Sequence, residues 1–120
     1  MIINNDINSL VQELQTKVIL IIDALKYINC PIQIFECRRS PERQAELFKS
    51  GYSKTLNSKH LTGSAVDMVV KKNDVWTWDI KNPRILASYK VYATISEWYG
   101  CEAGFFWKSF QDCPHIQLKV

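Results

Sequence analysis

Ser58-Lys59-His60-Leu61-Thr62-Gly63-Ser64-Ala65-Val66-Asp67 sets an imidazole and a carboxylate on either side of a glycine. Gly63 lets the chain turn between them, and Ala65 to Val70 then alternates as a strand does, so Asp67 is expected on a strand that the turn feeds. The pairing reads as half of a metal site. Zinc accepts imidazole nitrogen and carboxylate oxygen at about 2.0–2.2 Å, and a catalytic zinc takes three protein ligands and keeps a fourth position for water. The chain has only one other histidine, His115, in Asp112-Cys113-Pro114-His115-Ile116-Gln117-Leu118 near the C-terminus, and it is the natural third ligand. Asp112 stands three residues before it, where a carboxylate can be near the metal without coordinating it, as a general base must be. Cys113 is a further candidate ligand, read against the alternative of a small buried or loop thiol.

Outward from this stretch the periodicities supply the remaining elements. Asn4, Asn5 or Asp6 can cap a helix in which Ile7, Leu10, Val11, Leu14, Val18, Ile21, Ile22, Leu25 and Ile28 recur at three- and four-residue steps, ending near Asn29 before Pro31. Ile32, Ile34 and Phe35 form a short strand leading to Arg38 and Arg39. Ser40 and Pro41 then open a helix over residues 41–50 that Gly51 stops, with Gln44, Leu47 and Phe48 on one face. Gln44 either ties down a neighbouring loop or faces the substrate. Lys71 to Asp74 reads as a turn, and Trp76 and Trp78 follow on a returning or irregular segment, with core burial favoured over lining a cleft. Asn82 and Pro83 open a third helix carrying Ile85, Tyr89, Tyr92, Ile95 and Tyr99 up to Gly100. Cys101 to Gln111 is an aromatic-rich loop that includes Trp107, and His115 to Val120 is a last strand. The order α-β-α-β-β-α-β predicts an α+β domain, helices packed on a small, mostly antiparallel sheet with Asp67 and His115 on adjacent strands.

The pattern Ser58-x-His60-x-x-Gly63-x-Ala65-x-Asp67, with Asp112-x-Pro114-His115 far downstream, resembles the zinc D-Ala-D-Ala carboxypeptidase and L-alanyl-D-glutamate endopeptidase family of peptidoglycan peptidases, which includes phage endolysins. Arg39-Ser40-x-x-x-Gln44-x-x-Leu47 and Trp107 extend the similarity, which covers roughly residues 32–118. The resemblance implies a hedgehog-like metallopeptidase fold, Zn²⁺ on His60, Asp67 and His115, and a peptidoglycan stem peptide as substrate. It assigns Asp112 as base, in a position that holds Glu in some relatives and Asp in others. Arg39 would contact the substrate or the developing oxyanion, whereas Arg38 would point the other way along an extended strand. Ser58 reads as a hydrogen-bonding loop residue and not a nucleophile, because no His-Asp pair is left to activate it.

A chain of 120 residues, 47% of them hydrophobic, suits one folded catalytic domain over 1–120 and excludes a disordered polymer. The net charge of +3 comes from scattered residues, which gives no ground for a nucleic-acid partner. No cationic leader or membrane span is evident. The expectation is a monomer made in the cytoplasm, with its four cysteines as thiols, that reaches the cell wall after release. Cleavage of the L-Ala–D-Glu bond is the leading function. The alternatives are a D,D-carboxypeptidase or dipeptidase, or a zinc-stabilised binding domain without catalysis.

Overall fold

Strand β2 (Ala65–Lys72) is the axis of the molecule, and the other strands are arranged by what they offer its two edges. The computed structural model describes residues 3–119; Met1, Ile2 and Val120, the expected last residue of the C-terminal strand, lie outside them. One edge of β2 pairs antiparallel with β1 (Ile32–Glu36), and the other pairs with β5 (His115–Leu118) near its start and with β3 (Val75–Thr77) near its end. Strand β4 (Cys101–Ala103) closes the far side of β5, also antiparallel. β2 and β3 form a hairpin whose turn places Asn73 and Asp74 at φ 50° and 62°, the left-handed pair that matches the twist of the flanking strands.

The alternation along β2 separates the two faces of the sheet. Val66, Met68 and Val70 join the core with Ile116 of β5, under helices α1 (Gln12–Tyr27) and α3 (Pro83–Trp98). Leu14, Val18, Ile21 and Leu25 supply the buried stripe of α1, and Ile85, Tyr89, Tyr92 and Ala93 that of α3. Both tyrosines enter the core because their hydroxyls are satisfied. Tyr89 donates to the Thr77 carbonyl at 2.8 Å and accepts from the Val70 amide, and Tyr92 donates to the Pro114 carbonyl at 2.8 Å. Asp67 is left pointing to the opposite face, together with His115, its direct partner across the β2–β5 ladder.

Several expectations are corrected. The first helix does not run from residue 7. Asp6 caps a single 3₁₀ turn (Ile7–Ser9), Leu10 and Val11 are extended, and the α-helix starts at Gln12, because the Val11 amide donates to the Gly63 carbonyl at 3.0 Å instead of entering a helix. The helix ends at Tyr27, so Ile28 is 53% exposed. Residues 101–103, expected as loop, are strand β4; three residues with Cys101 and Ala103 inward were too short to show a period. Helix α2 (Pro41–Lys49) has the expected Ser40 cap and Pro41 start but leaves Phe48 45% exposed, since its buried residue is Gln44, which packs on Arg39 and the chain at residues 53–55. Trp78 is 50% exposed rather than core, resting edge-on against Phe35 at 5.2 Å. Among the described residues no helix is long and apolar enough to cross a membrane, and the four cysteines are free thiols.

The N-terminal segment is clasped to the turn at residue 63. Gly63 has φ 72°, and a Cβ there would lie 2.8 Å from the Ser9 carbonyl oxygen, so both conformation and space call for glycine. The Cys37 amide donates to the Asn4 carbonyl and the Arg38 amide to Ser9 Oγ, which fastens the same segment to the end of β1.

Candidate metal centre and cleft

A cleft of about 940 Å³ opens on the sheet face away from α1 and α3, and His60, Asp67 and His115 lie in its wall. His60 comes from the 3₁₀ turn Lys59–Thr62, whose start is capped by Ser58 Oγ accepting from the His60 amide. One donor atom from each of the three residues lies within 4.8 Å of the other two. Asp67 Oδ1 is the common point, 3.1 Å from His60 Nε2 and 3.2 Å from His115 Nδ1.

The hydrogen-bond partners on the far sides of the rings fix what this convergence means. His60 Nδ1 lies 2.8 Å from the Cys37 carbonyl, which can only accept, so Nδ1 carries the hydrogen and the lone pair belongs to Nε2. His115 Nε2 donates to Gln117 Oε1 at 2.8 Å, while the Gln117 amide nitrogen faces Glu102 Oε2 at 3.4 Å, which also takes the Trp107 indole hydrogen at 2.8 Å. That chain orients Gln117 and assigns the free lone pair of His115 to Nδ1. Two imidazole lone pairs thus point at one carboxylate oxygen, 3.1 and 3.2 Å away, an arrangement that a cation among them would satisfy. The donor set, two neutral imidazoles with oriented outer nitrogens and one carboxylate, fits zinc.

Charge in the metal-free site follows the same logic. Burial pushes the Asp67 carboxyl up, but His60 and His115 beside it hold it well below the ordinary carboxylate range. Burial lowers His115, yet its hydrogen bond to Asp67 and the charges of Asp67 and Asp112 raise it overall. Burial, then the Asp67 charge, push Asp112 up to about 6. Metal-free protein is therefore expected to lose stability as pH rises from about 4 to 8. The raised Asp112 contributes stability present below its ordinary value of 3.8 and lost through about 6, on the order of 2–3 kcal/mol. His115 adds a loss in the same direction above its ordinary 6.5. The depressed Asp67 acts only below 3.8, outside this window. Zinc competes with protons for its ligands, so its stabilisation should grow over the same range. Thermal melts with chelator and with zinc should accordingly diverge with pH; parallel curves would count against a metal at this position.

Asp112 lines the cleft, placed by main-chain contacts. Its amide donates to the Gly104 carbonyl at 2.9 Å, and its carbonyl accepts from the His115 amide at 3.1 Å. Gly104 is required here, since a Cβ would lie 2.5 Å from the Asp112 carbonyl oxygen. Arg39 is 8% exposed, with Nη1 donating to Gln44 Oε1 at 2.8 Å and Nη2 to Glu36 Oε1 at 2.9 Å and Asp67 Oδ2 at 3.4 Å. Gln44 is buried behind it and does not line the cleft; its amide holds the 53–55 loop through Ser53 Oγ and the Thr55 carbonyl. Arg38 points away and donates to the Leu61 carbonyl. Ser58 and Trp107 line the cleft, the Trp107 ring 5.1 Å from that of His115. Cys113 is buried at the core side, outside the cluster of donors.

Glu36, Arg43, Glu102 and Gln117 complete this environment and were not singled out from the sequence. Gln117 was reachable: it stands two residues after His115 on a strand and so shares its face. Gln117→Ala is expected to weaken zinc binding by about 10- to 100-fold, read by competition with a chelating dye.

A family model described as D-alanyl-D-alanine carboxypeptidase matches residues 51–118. The chain is 34% identical over 91 residues to the L-alanyl-D-glutamate peptidase of Listeria phage A118, and 31% identical over 100 residues to the peptidoglycan L-alanyl-D-glutamate endopeptidase CwlK of Bacillus subtilis. Each alignment covers 72% of this chain, but only 30% of the phage protein and 60% of CwlK. The crystal structure of the L-Ala D-Glu endopeptidase ChiX of Serratia marcescens superposes with a TM-score of 0.73 at 33% identity, covering 94% of this chain and 83% of that one. DacB of Streptococcus pneumoniae D39, at 14% identity and a TM-score of 0.64 over 98% of this chain and 74% of its own, shares the fold.

Proposed function

Since this chain belongs to the D-alanyl-D-alanine carboxypeptidase family of peptidases, we propose that residues 1–120 form a zinc-dependent catalytic unit. It would hydrolyse the bond between L-alanine and D-glutamate in peptidoglycan stem peptides, in the manner of a phage endolysin. The observation that carries this reading is the convergence of His60 Nε2, His115 Nδ1 and Asp67 Oδ1 in a cleft that also holds Asp112 and Arg39. The choice of bond rests on the names of the phage peptidase, CwlK and ChiX.

His60, Asp67 and His115 would hold the metal. When bound, zinc supplies a water acidified to a pKa near 7 and polarisation of the scissile carbonyl. Asp112 takes a proton from the attacking water and delivers it to the amine nitrogen as the carbon–nitrogen bond breaks. Burial and the Asp67 charge raise the Asp112 carboxyl in the metal-free site; a bound dication would draw it back down, which favours the ionised form needed to accept a proton from the attacking water. The Arg39 guanidinium, fixed by Glu36 and Gln44, provides a preorganised positive group beside the site where charge develops on the carbonyl oxygen. Gln117 and the Cys37 carbonyl keep the two imidazoles turned inward.

The description of the family model favours a second reading, a D,D-carboxypeptidase acting on D-Ala-D-Ala ends. Mass spectrometry of purified peptidoglycan digested by zinc-loaded protein separates the two. New D-Glu amino termini and L-Ala carboxyl termini, absent under chelation, are expected; free D-Ala would select the carboxypeptidase. No metal-dependent product would leave a zinc-stabilised binding domain, which the presence of Asp112 and Arg39 in the cleft argues against.

A further inference from the structure

Arg43 lines the same cleft as His60 and Asp67, and the carboxylate it pairs with is shared with Arg39. Glu36, 2% exposed, serves two guanidiniums: Oε1 accepts from Arg39 Nη2 at 2.9 Å, and Oε2 from Arg43 Nε at 3.0 Å. Among the described residues the other carboxylate within ion-pair reach of either arginine is Asp67, 3.4 Å from Arg39, and its second oxygen is turned to the two histidines. Once a divalent ion takes up Asp67, two guanidiniums share one carboxylate. The hydrogen-bond inventory says the same. Arg39 Nε is buried without an acceptor, and Arg43 spends Nε and Nη2 on Glu36, leaving Nη1 without a partner among the described residues. The Arg43 side chain is only 15% exposed. A surplus positive charge so far withdrawn from water is stabilised by an anion that pairs with it and accepts its hydrogens.

Three consecutive contacts, Arg43 to Glu36, Glu36 to Arg39 and Arg39 to Asp67, connect this charge to the candidate metal ligands, so an anion on Arg43 would lie in the same cleft as the bond being cut. A glutamyl residue has two carboxyl groups, and a peptide continues through only one of them. The geometry points to Arg43, with Arg39 behind it, as the site that takes the free carboxylate of the D-glutamyl residue on the amine side of the scissile bond. This assignment rests on the peptidase reading above and deepens it: the cleft selects an acid over the corresponding carboxamide at that residue.

The test uses two peptides, N-acetyl-L-alanyl-D-glutamyl-L-lysine joined through the glutamyl side chain with its α-carboxylate free, and its α-carboxamide twin. The kcat/KM ratio of acid to amide is measured for zinc-loaded wild type, Arg43→Gln and Arg43→Lys. Wild type is expected to prefer the acid by about 10- to 100-fold, the worth of a hydrogen bond between charged partners. Arg43→Gln should lose most of that ratio whatever its absolute rates, and Arg43→Lys should retain part of it, having the charge without the fork. A wild type indifferent to the pair, or an Arg43→Gln ratio equal to wild type, overturns the assignment. If circular dichroism finds Arg43→Gln unfolded, the Arg43→Lys ratio decides: a value below wild type supports the site and an equal value overturns it. Cleavage of neither peptide by wild type overturns the peptidase reading instead, and calorimetry with the same pair then judges the carboxylate site. Binding of the acid about tenfold tighter than the amide supports it, and equal binding overturns it.

Discussion

Asp112→Asn is expected to lower kcat by about 10²- to 10⁴-fold while zinc content stays close to wild type and the melting temperature does not fall. Asparagine fills the same volume and has an oxygen to present to the cleft, but it cannot take a proton from water or return one to an amine. The substitution leaves the local backbone alone, because residue 112 is held by its own amide and carbonyl through Gly104 and His115. KM should move little, since the loss falls on the bond-breaking step. Steady-state kinetics on a muropeptide, with metal content measured on the same preparation, checks this. An Asp112→Asn protein that holds zinc and turns over at the wild-type rate would remove the general-base role.

The second large effect is on stability. Glu36→Ala withdraws the shared carboxylate from two guanidiniums in a wall where Arg39 is 8% exposed and the Arg43 side chain 15%. Losing one partner of a buried ion pair costs about 3–5 kcal/mol, much of it the burden of the charge left behind. For a domain of this size that is a fall in melting temperature of roughly 10–25 °C. Two charges are stranded here rather than one, although the remaining exposure of Arg43 lets part of its guanidinium reach water. Thermal unfolding of the zinc-loaded protein followed by circular dichroism gives the number. A loss below about 1 kcal/mol would mean that the pair behaves as a solvated surface bridge. The same variant should lose activity even where folded, because Arg39 would keep only Gln44 and Asp67 to fix its aim.

What the chain disclosed in advance depended on how local the signal was. His60, Gly63 and Asp67 lie within eight residues and His115 is the only other histidine, so the donor set could be named without knowing the topology. Helix α3 was legible because Asn82, Pro83 and Gly100 mark its ends and its apolar residues keep one period. The start of α1 was not: Leu10 and Val11 continue the helical period, and the hydrogen bond that draws Val11 out of it comes from Gly63, far along the chain. Strand β4 was hidden by its three-residue length. Trp78 was misplaced because β3 ends one residue earlier, at Thr77, and propensity cannot tell where a chain leaves a sheet. Glu36 and Arg43 went unnoticed for a related reason. A strand glutamate and a helix arginine look like ordinary surface residues until the β1–β2 register sets Glu36 opposite Asp67.

The clasp between the N-terminal segment and the turn at Gly63 has a practical consequence for anyone handling the protein. Appending an affinity tag, a reporter or a wall-targeting module ahead of residue 4 joins foreign mass to a strap whose main-chain groups, at Asn4 and Val11, touch the loop that bears His60 and the residue whose carbonyl orients that ring. Trimming those first residues would uncover the back of the metal loop.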